Sequence, residues 1–325
     1  MTARRGSSAC TRSWAACYYS FGAGVYERGH DGVELVVETE GNRRRRVWRC
    51  GAAELEDRWE YIPQSQCWAH VEYAVKDVGG LRTLRDIARS THYTPDSSSY
   101  RRQSDFLGGS GLPITPLPRS PVPALMADWC GVEATIFLMM DHPDEVEETL
   151  LAIDAANDEG FRIAAASEAE LFHFCDNLDS SNCASYYDSH MKEYYERRLA
   201  QLHAAGKHAV VHLDGVVRGL LPKLAASGFD GVEAITPAPV GDASVEECAR
   251  LVGDHGTILW GGLPGAMFCQ PWNAGHIAAM TREVLERWGK SGRLVVGSAD
   301  QIPPDGDISF CREVADTIES WVCLL

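Results

Sequence analysis

Hydrophobic and polar positions change rhythm along this chain, and the later part is the more regular. "ELFHFC" (170–175) reads as a strand, and "ASYYDSHMKEYYERRLAQLHAAG" as an amphipathic helix ending at Gly206. The alternation continues through "HAVVHLD" and "VVRGLLPKLAASG", "GVEAIT" and "ASVEECARLVG", "TILWGG" and "AGHIAAMTREVLERWG", then "RLVVGS" and "ISFCREVADTIESWVC". Short apolar runs read as strands and stretches of 3.6-residue spacing as helices. Strands that alternate with helices predict a parallel sheet. Just upstream, "CGVEATIFLMM" looks helical, and Asp141-His142-Pro143 opens a second helix running to about Ala166. Proline suits a first helical turn because its missing N–H would have no partner there.

The first 120 residues are less periodic. Val33–Thr39 and Arg45–Cys50 form a hairpin turning at Glu40-Gly41-Asn42, and "VKDVGGLRTLRDIARS" reads as a short helix. Residues 94–122, with many Ser, Gly and Pro, read as loop. The run Arg43–Arg46 reads as a solvated strand end, with a clamp for substrate carboxylates as its functional alternative.

Polar or small residues follow strand after strand: Asp176 and Asn177, His212 and Asp214, Glu233 and Thr236, Gly261 and Gly262, Ser298 and Asp300. No G-x-G-x-x-G follows any strand, which weakens a dinucleotide-binding reading. In a (β/α)8 barrel the C-terminal strand ends converge on one mouth that holds the catalytic groups. The expected fold is therefore α/β, a (β/α)8 TIM-type barrel, shortened or altered at its N-terminus. It spans 1–325 as a single domain, with hairpin, helix and loops over 1–120 and regular units over 121–325.

Charge and cysteines narrow the setting. The net charge is −16, which argues against nucleic acid or an anionic membrane as the main partner. The eleven cysteines include no C-x-x-C pair, and the chain is too long for a disulfide scaffold, so they read as reduced thiols in a cytoplasmic protein. No apolar run is long enough to span a membrane. Serines and glycines interrupt the weakly apolar opening, so no signal peptide is expected. A small-molecule substrate is expected; the oligomeric state stays open, with a homodimer as the candidate.

Three segments, "GKHAVVHLDGVVRGLLPKLAASGFDGVEAI", "LWGGLP" and "VVGSADQIPPDGDI", resemble the uroporphyrinogen decarboxylase superfamily, which includes the corrinoid-dependent methyltransferases. "SPVPALMADWCGVEATIFLMMDHPDEVEETL" extends the likeness upstream. The resemblance implies a (β/α)8 barrel, with Zn2+ as a cofactor and a corrinoid (cobalamin) as substrate or partner cofactor, presented by a corrinoid carrier protein. Family members begin with a helix and a first strand bearing an arginine-rich loop; here that strand is either missing or replaced within residues 1–30. The methyltransferases bind zinc through a His-x-Cys at one strand end and a second Cys after the last strand. His212 stands at the His position, Asp214 at the first Cys and Ser298 at the second. In the decarboxylases a histidine lies near Ser298 and an early strand supplies an aspartate, for which this chain has no match.

Zinc accepts imidazole nitrogen and carboxylate oxygen as well as thiolate. His212, Asp214 and Glu233 are therefore the candidate metal ligands, and Cys175 is a substitute ligand; His173, on Cys175's face, reads as core or rim. Without a metal, His212, Asp214, Glu233, Asp300 and Asp176 are the candidate acid–base residues, with Asn177, Gly261, Gly262, Ser298 and Gln301 contacting substrate. A buried carboxyl of raised pKa can protonate a carbanion, as decarboxylation requires. The leading expectation is methyl transfer involving a corrinoid or thiol partner. Decarboxylation of a tetrapyrrole carboxylate is the alternative, and a barrel that binds a small ligand without catalysis is the third.

Overall fold

The computed structural model describes residues 18–322. The opening seventeen residues, where no signal peptide was expected, lie outside the described residues. Thirteen described strands follow one another: β1 (Tyr18–Phe21), β2 (Tyr26–His30), β3 (Val33–Glu40), β4 (Arg43–Cys50), β5 (Ala53–Ile62), β6 (Cys67–Glu72), β7 (Thr91–Pro95), β8 (Gly111–Pro116), β9 (Leu171–Leu178), β10 (His208–Leu213), β11 (Gly231–Ile235), β12 (Ile258–Leu263) and β13 (Leu294–Ser298). Contacts divide the chain into two compact units that interleave in sequence. One holds the segment up to Gly24, Ser97–Pro116 and everything from Glu168; the other holds Val25–Asp96 and Leu117–Ser167.

The first unit is a sheet in the order β1-β8-β9-β10-β11-β12-β13, with every neighbouring pair parallel. The five strands read from the alternation are there, side by side and in sequence order. The parallel sheet is consistent with a TIM-type fold, but seven strands are in place among the described residues, not the expected eight. β1 falls within residues 1–30 and pairs with β8, so a parallel strand does stand in the segment where none was legible.

Residues 94–122 are not a loop. They hold the end of β7, a helix over Ser98–Leu107, β8, and the start of a helix at Pro121. The two prolines of "GLPITP" hid β8, since proline gives no ladder hydrogen bond.

Period-two alternation gives the sheet two different faces. Phe172, Phe174, Val211, Leu213 and Val232 are buried on one face. There Phe174 meets Tyr195 and Phe229 edge-on, at centroid distances of 5.7 and 5.2 Å. On the other face, Ile114, Leu171, Val210 and Trp260 form one apolar layer, with Val295 packed against it. A cavity of about 860 Å³ opens beside this layer, bounded also by Val314 and Ile318 of the helix Phe310–Val322.

In the second unit, β3 to β6 make an antiparallel meander, and β2 pairs with β7. The hairpin read from sequence is its first turn, tightened to Gly41-Asn42, with Glu40 opposite Arg43. The arginine run is taken up within this sheet. Arg45 bonds Glu38 and Glu56 at 3.1 and 2.7 Å, Arg46 is paired with the fully buried Asp57, and Arg44 lies over Trp68. Burial works against the charge of Asp57, but His70 and Arg46 hold its pKa below the ordinary carboxylate range. The helix read over 75–90 spans Val78–Arg89, N-capped by Asp77, whose side chain accepts from Gly80 N at 2.8 Å. The helix from Pro143 runs to Ala166 as the sequence indicates.

Candidate active site at the strand ends of the first unit

Three adjacent strands deliver the chemistry. β9 and β10 place Leu171, His173 and Cys175, and Val210 and His212, along the face of the apolar layer. β11 brings Glu233 opposite His212 in the parallel register. Polar groups thus stand directly beyond the apolar layer, at the C-terminal ends of the strands.

The turns after β9 and β10 are tied together. Asp179 accepts from Ser181 N at 2.6 Å through one carboxylate oxygen and from Val216 N at 3.1 Å through the other, while Ser180 N donates to Val216 O at 2.8 Å. Gly215, at φ +59°, turns the chain aside immediately after Asp214, and a Cβ there would lie 2.5 Å from Asp179 Oδ2. β11 breaks register between Val232 and Ile235, and Ala234 sits at φ +67°, a conformation that costs a non-glycine residue roughly 1–3 kcal/mol. That local kink immediately follows Glu233.

Glu233 is the hub. Its Oε2 lies 2.7 Å from His212 Nδ1 and 3.4 Å from His173 Nε2. His173 and Glu233 are 4% and 7% exposed, so water replaces these bonds poorly. His212 Nε2 faces Asp214 Oδ2 at 3.8 Å, and Asp214 is the partly exposed member. Burial disfavours the His212 charge, but the Asp214 and Glu233 carboxylates outweigh it and raise its pKa to about 10. Burial likewise opposes the charge on Glu233, while His173 and His212 bring its pKa below the ordinary value.

His173, His212 and Glu233 each offer one ligand atom, all within 4.8 Å of one another, and so form a group that could hold a metal ion. Two imidazoles and a carboxylate match the three protein ligands of many catalytic zinc sites, which keep a fourth position open. Asp214, one of the three ligands expected from sequence, is not in this group; His173 takes its place. β10 closes on a His-x-acid pattern, and within β9 His173-Phe-Cys175 is itself a His-x-Cys. That spacing was the available signal for His173.

The other candidates scatter. Asp176 shares the face of Phe172 and Phe174, is 2% exposed, and accepts from the Tyr195 hydroxyl at 2.8 Å. Asn177 is exposed at φ +50°, where the pairing of β9 with β10 shifts register. Gly261 and Gly262 have φ of +125° and +90°. A Cβ on the first would meet the Ile235 backbone at 2.9 Å, and one on the second Val284 and Trp288 at 3.0 Å, so both serve close packing. Ser298 lines the apolar cavity and bonds the Asp300 carbonyl; Asp300 and Gln301 are exposed beyond β13. Thr236 Oγ1 donates to Ala234 O at 3.0 Å.

No family model matches the chain, and no curated protein matches it in sequence. Among solved structures it is similar to a methyltransferase from Methanosarcina mazei, at TM-score 0.58 and 14% identity, over 81% of this chain and 75% of that one. At this identity the likeness is one of fold. A chitinase from Chromobacterium violaceum is similar at TM-score 0.40 and 12% identity, over 71% of this chain and 88% of that one. Among the described residues, no helix is long and apolar enough to cross a membrane, and the eight cysteines are free thiols.

Proposed function

We propose that this chain is a methyl-transferring enzyme of the uroporphyrinogen decarboxylase superfamily, acting between a corrinoid and a thiol, with a divalent metal held by His173, His212 and Glu233. The observation that carries the reading is the convergence of those three side chains from consecutive strand ends. The fold likeness to a methyltransferase supports it coarsely. Bound there, zinc would supply the Lewis acidity that makes a substrate thiol ionise at neutral pH. Asp214, beside His212 and open to solvent, is placed to take the released proton on Oδ2. Glu233 anchors the His212 imidazole and faces His173. Transfer joins sulfur to the methyl carbon, and the donor keeps the electron pair of the bond that breaks. A nitrogen–oxygen set is harder than the family's thiolates and selects zinc less strongly.

The test is metal analysis of protein purified without chelator, followed by transfer from methylcobalamin to small thiols, read by loss of methylcobalamin absorbance. One metal per chain is expected, with activity lost on chelation and in His173→Ala and His212→Ala. Full activity in metal-free protein would sink the reading. A second reading, decarboxylation of a tetrapyrrole carboxylate, draws on His212, whose imidazole between two carboxylates is a proton donor for a carbanion. The strand ends carry mostly acidic groups, which suit a polycarboxylate poorly, so weak or no turnover of uroporphyrinogen is expected. Efficient formation of coproporphyrinogen would make this second reading the answer.

A further inference from the structure

We infer that Cys175 is a positioning residue for the metal centre: it holds His173 with Nε2 turned toward Glu233. The inference rests on the metal reading above and concerns a residue outside the three-residue group.

Cys175 lies two residues beyond His173 on β9, so both project from the same face. Its Sγ is 2.9 Å from His173 Nδ1 and 3.7 Å from the His173 carbonyl oxygen. A thiol has one hydrogen. Donated to the carbonyl, it leaves the sulfur lone pairs to accept from Nδ1–H. The imidazole proton is then fixed on Nδ1, and the lone pair lies on Nε2. That nitrogen faces Glu233 Oε2 at 3.4 Å. A lone pair set against a carboxylate oxygen is unfavourable unless a cation lies between them, and this tautomer therefore suits a metal. Phe21 packs edge-on against the same ring at a centroid distance of 4.9 Å and limits its rotation. Groups that bind the far nitrogen of a metal-ligating histidine typically fix its tautomer and orientation, and their loss weakens metal binding about 10- to 100-fold.

The assignment separates two roles for sulfur. As a positioning group, Cys175 touches the nitrogen opposite the metal and never the metal. As a substitute ligand, the role weighed from sequence, it would bond the metal directly. The position of Sγ at Nδ1 rather than Nε2 favours the first.

Isothermal titration with Zn2+ and Co2+, together with visible and near-ultraviolet spectra of the Co2+ forms, tests this on the full chain. Wild type, Cys175→Ala, Cys175→Ser and Glu233→Gln are compared, with thermal melts to confirm folding. Wild type should bind one metal without a sulfur-to-cobalt charge-transfer band. Cys175→Ala should bind about 10- to 100-fold more weakly, and Cys175→Ser, whose hydroxyl can make the same two bonds, should recover most of the loss. Near-wild-type affinity in Cys175→Ser, with no sulfur band in the wild type, supports the positioning role and carries the test if Cys175→Ala does not fold; a wild-type sulfur band that either variant abolishes overturns it in favour of direct ligation. Wild-type affinity in folded Cys175→Ala overturns the positioning role while the metal reading stands. No binding by wild type removes the metal reading and this inference together, and Glu233→Gln then shows no further loss.

Discussion

His212 is the residue on which electrostatics and function meet most directly. Its imidazole sits between a buried carboxylate and a half-exposed one, and its pKa rises from 6.5 to about 10. The sign follows from linkage. A cation favoured in the folded state stabilises fully below the unfolded value, and the contribution is lost as pH rises through the folded value. Chelator-treated wild type should therefore lose stability between about pH 6.5 and pH 10, and His212→Gln should show a flatter profile across that window. Urea unfolding at several pH values measures this; parallel profiles would mean that the pair does not hold its charge in the folded protein. Much of this site was legible. The alternation in "VVHLDG" put His212 at a strand end, and the next strand supplied Glu233. Asp176 stood among the acid–base candidates because β9 was read as ending at Cys175. Continued to Leu178, the same alternation assigns Asp176 to the face of Phe172 and Phe174, where Tyr195 binds it. His173 reads in sequence as core or rim, and its contact with Glu233, sixty residues away, brings it into the group of ligand candidates.

At the scale of elements, backbone conformation explains residues that look chemical in sequence. Gly261 and Gly262 read as a place for backbone to approach a ligand or turn tightly, and the structure brings protein atoms close to both. Gly262→Ala would force an L residue to φ +90° with its Cβ 3.0 Å from Val284 and Trp288. Strain at positive φ and overpacking each cost roughly 1–3 kcal/mol. Trp288 is held by a 2.7 Å bond from Nε1 to Val245 O, so it yields little. A loss of about 2–6 kcal/mol is expected in chemical denaturation, with no selective change in metal affinity beyond that of the folded fraction. A variant as stable as wild type would show that β12 can relax around the methyl group. The strand–helix units were readable because each strand is a short apolar run closed by a glycine or polar turn. β1 and β8 were not, because one is short and the other carries two prolines. Their pairing is visible only once the strands lie side by side.

For the molecule as a whole, the parallel sheet of the first unit has two ends, β1 and β13, and the helix Phe310–Val322 lies beside the apolar layer near β13. Its positions 311, 314, 315 and 318 form one stripe at helical spacing, and all four border the cavity. Three of them are apolar side chains that are only half-buried. The sequence marks this segment as a helix but not the space beside it, since helical spacing says nothing about how fully a partner fills the apolar side. Ala315 is the smallest of the four and the natural place to add volume. Ala315→Leu keeps a good helix former and adds carbon where the opposing wall is Leu171, Val210, Trp260 and Val295. Cavity filling commonly adds about 0.5–2 kcal/mol. The denaturation midpoint should rise at constant slope, and affinity for Zn2+ should not change, because the substitution lies behind the apolar layer rather than at the strand ends. If stability falls while the slope stays constant, the space is filled in solution and the added side chain is overpacked.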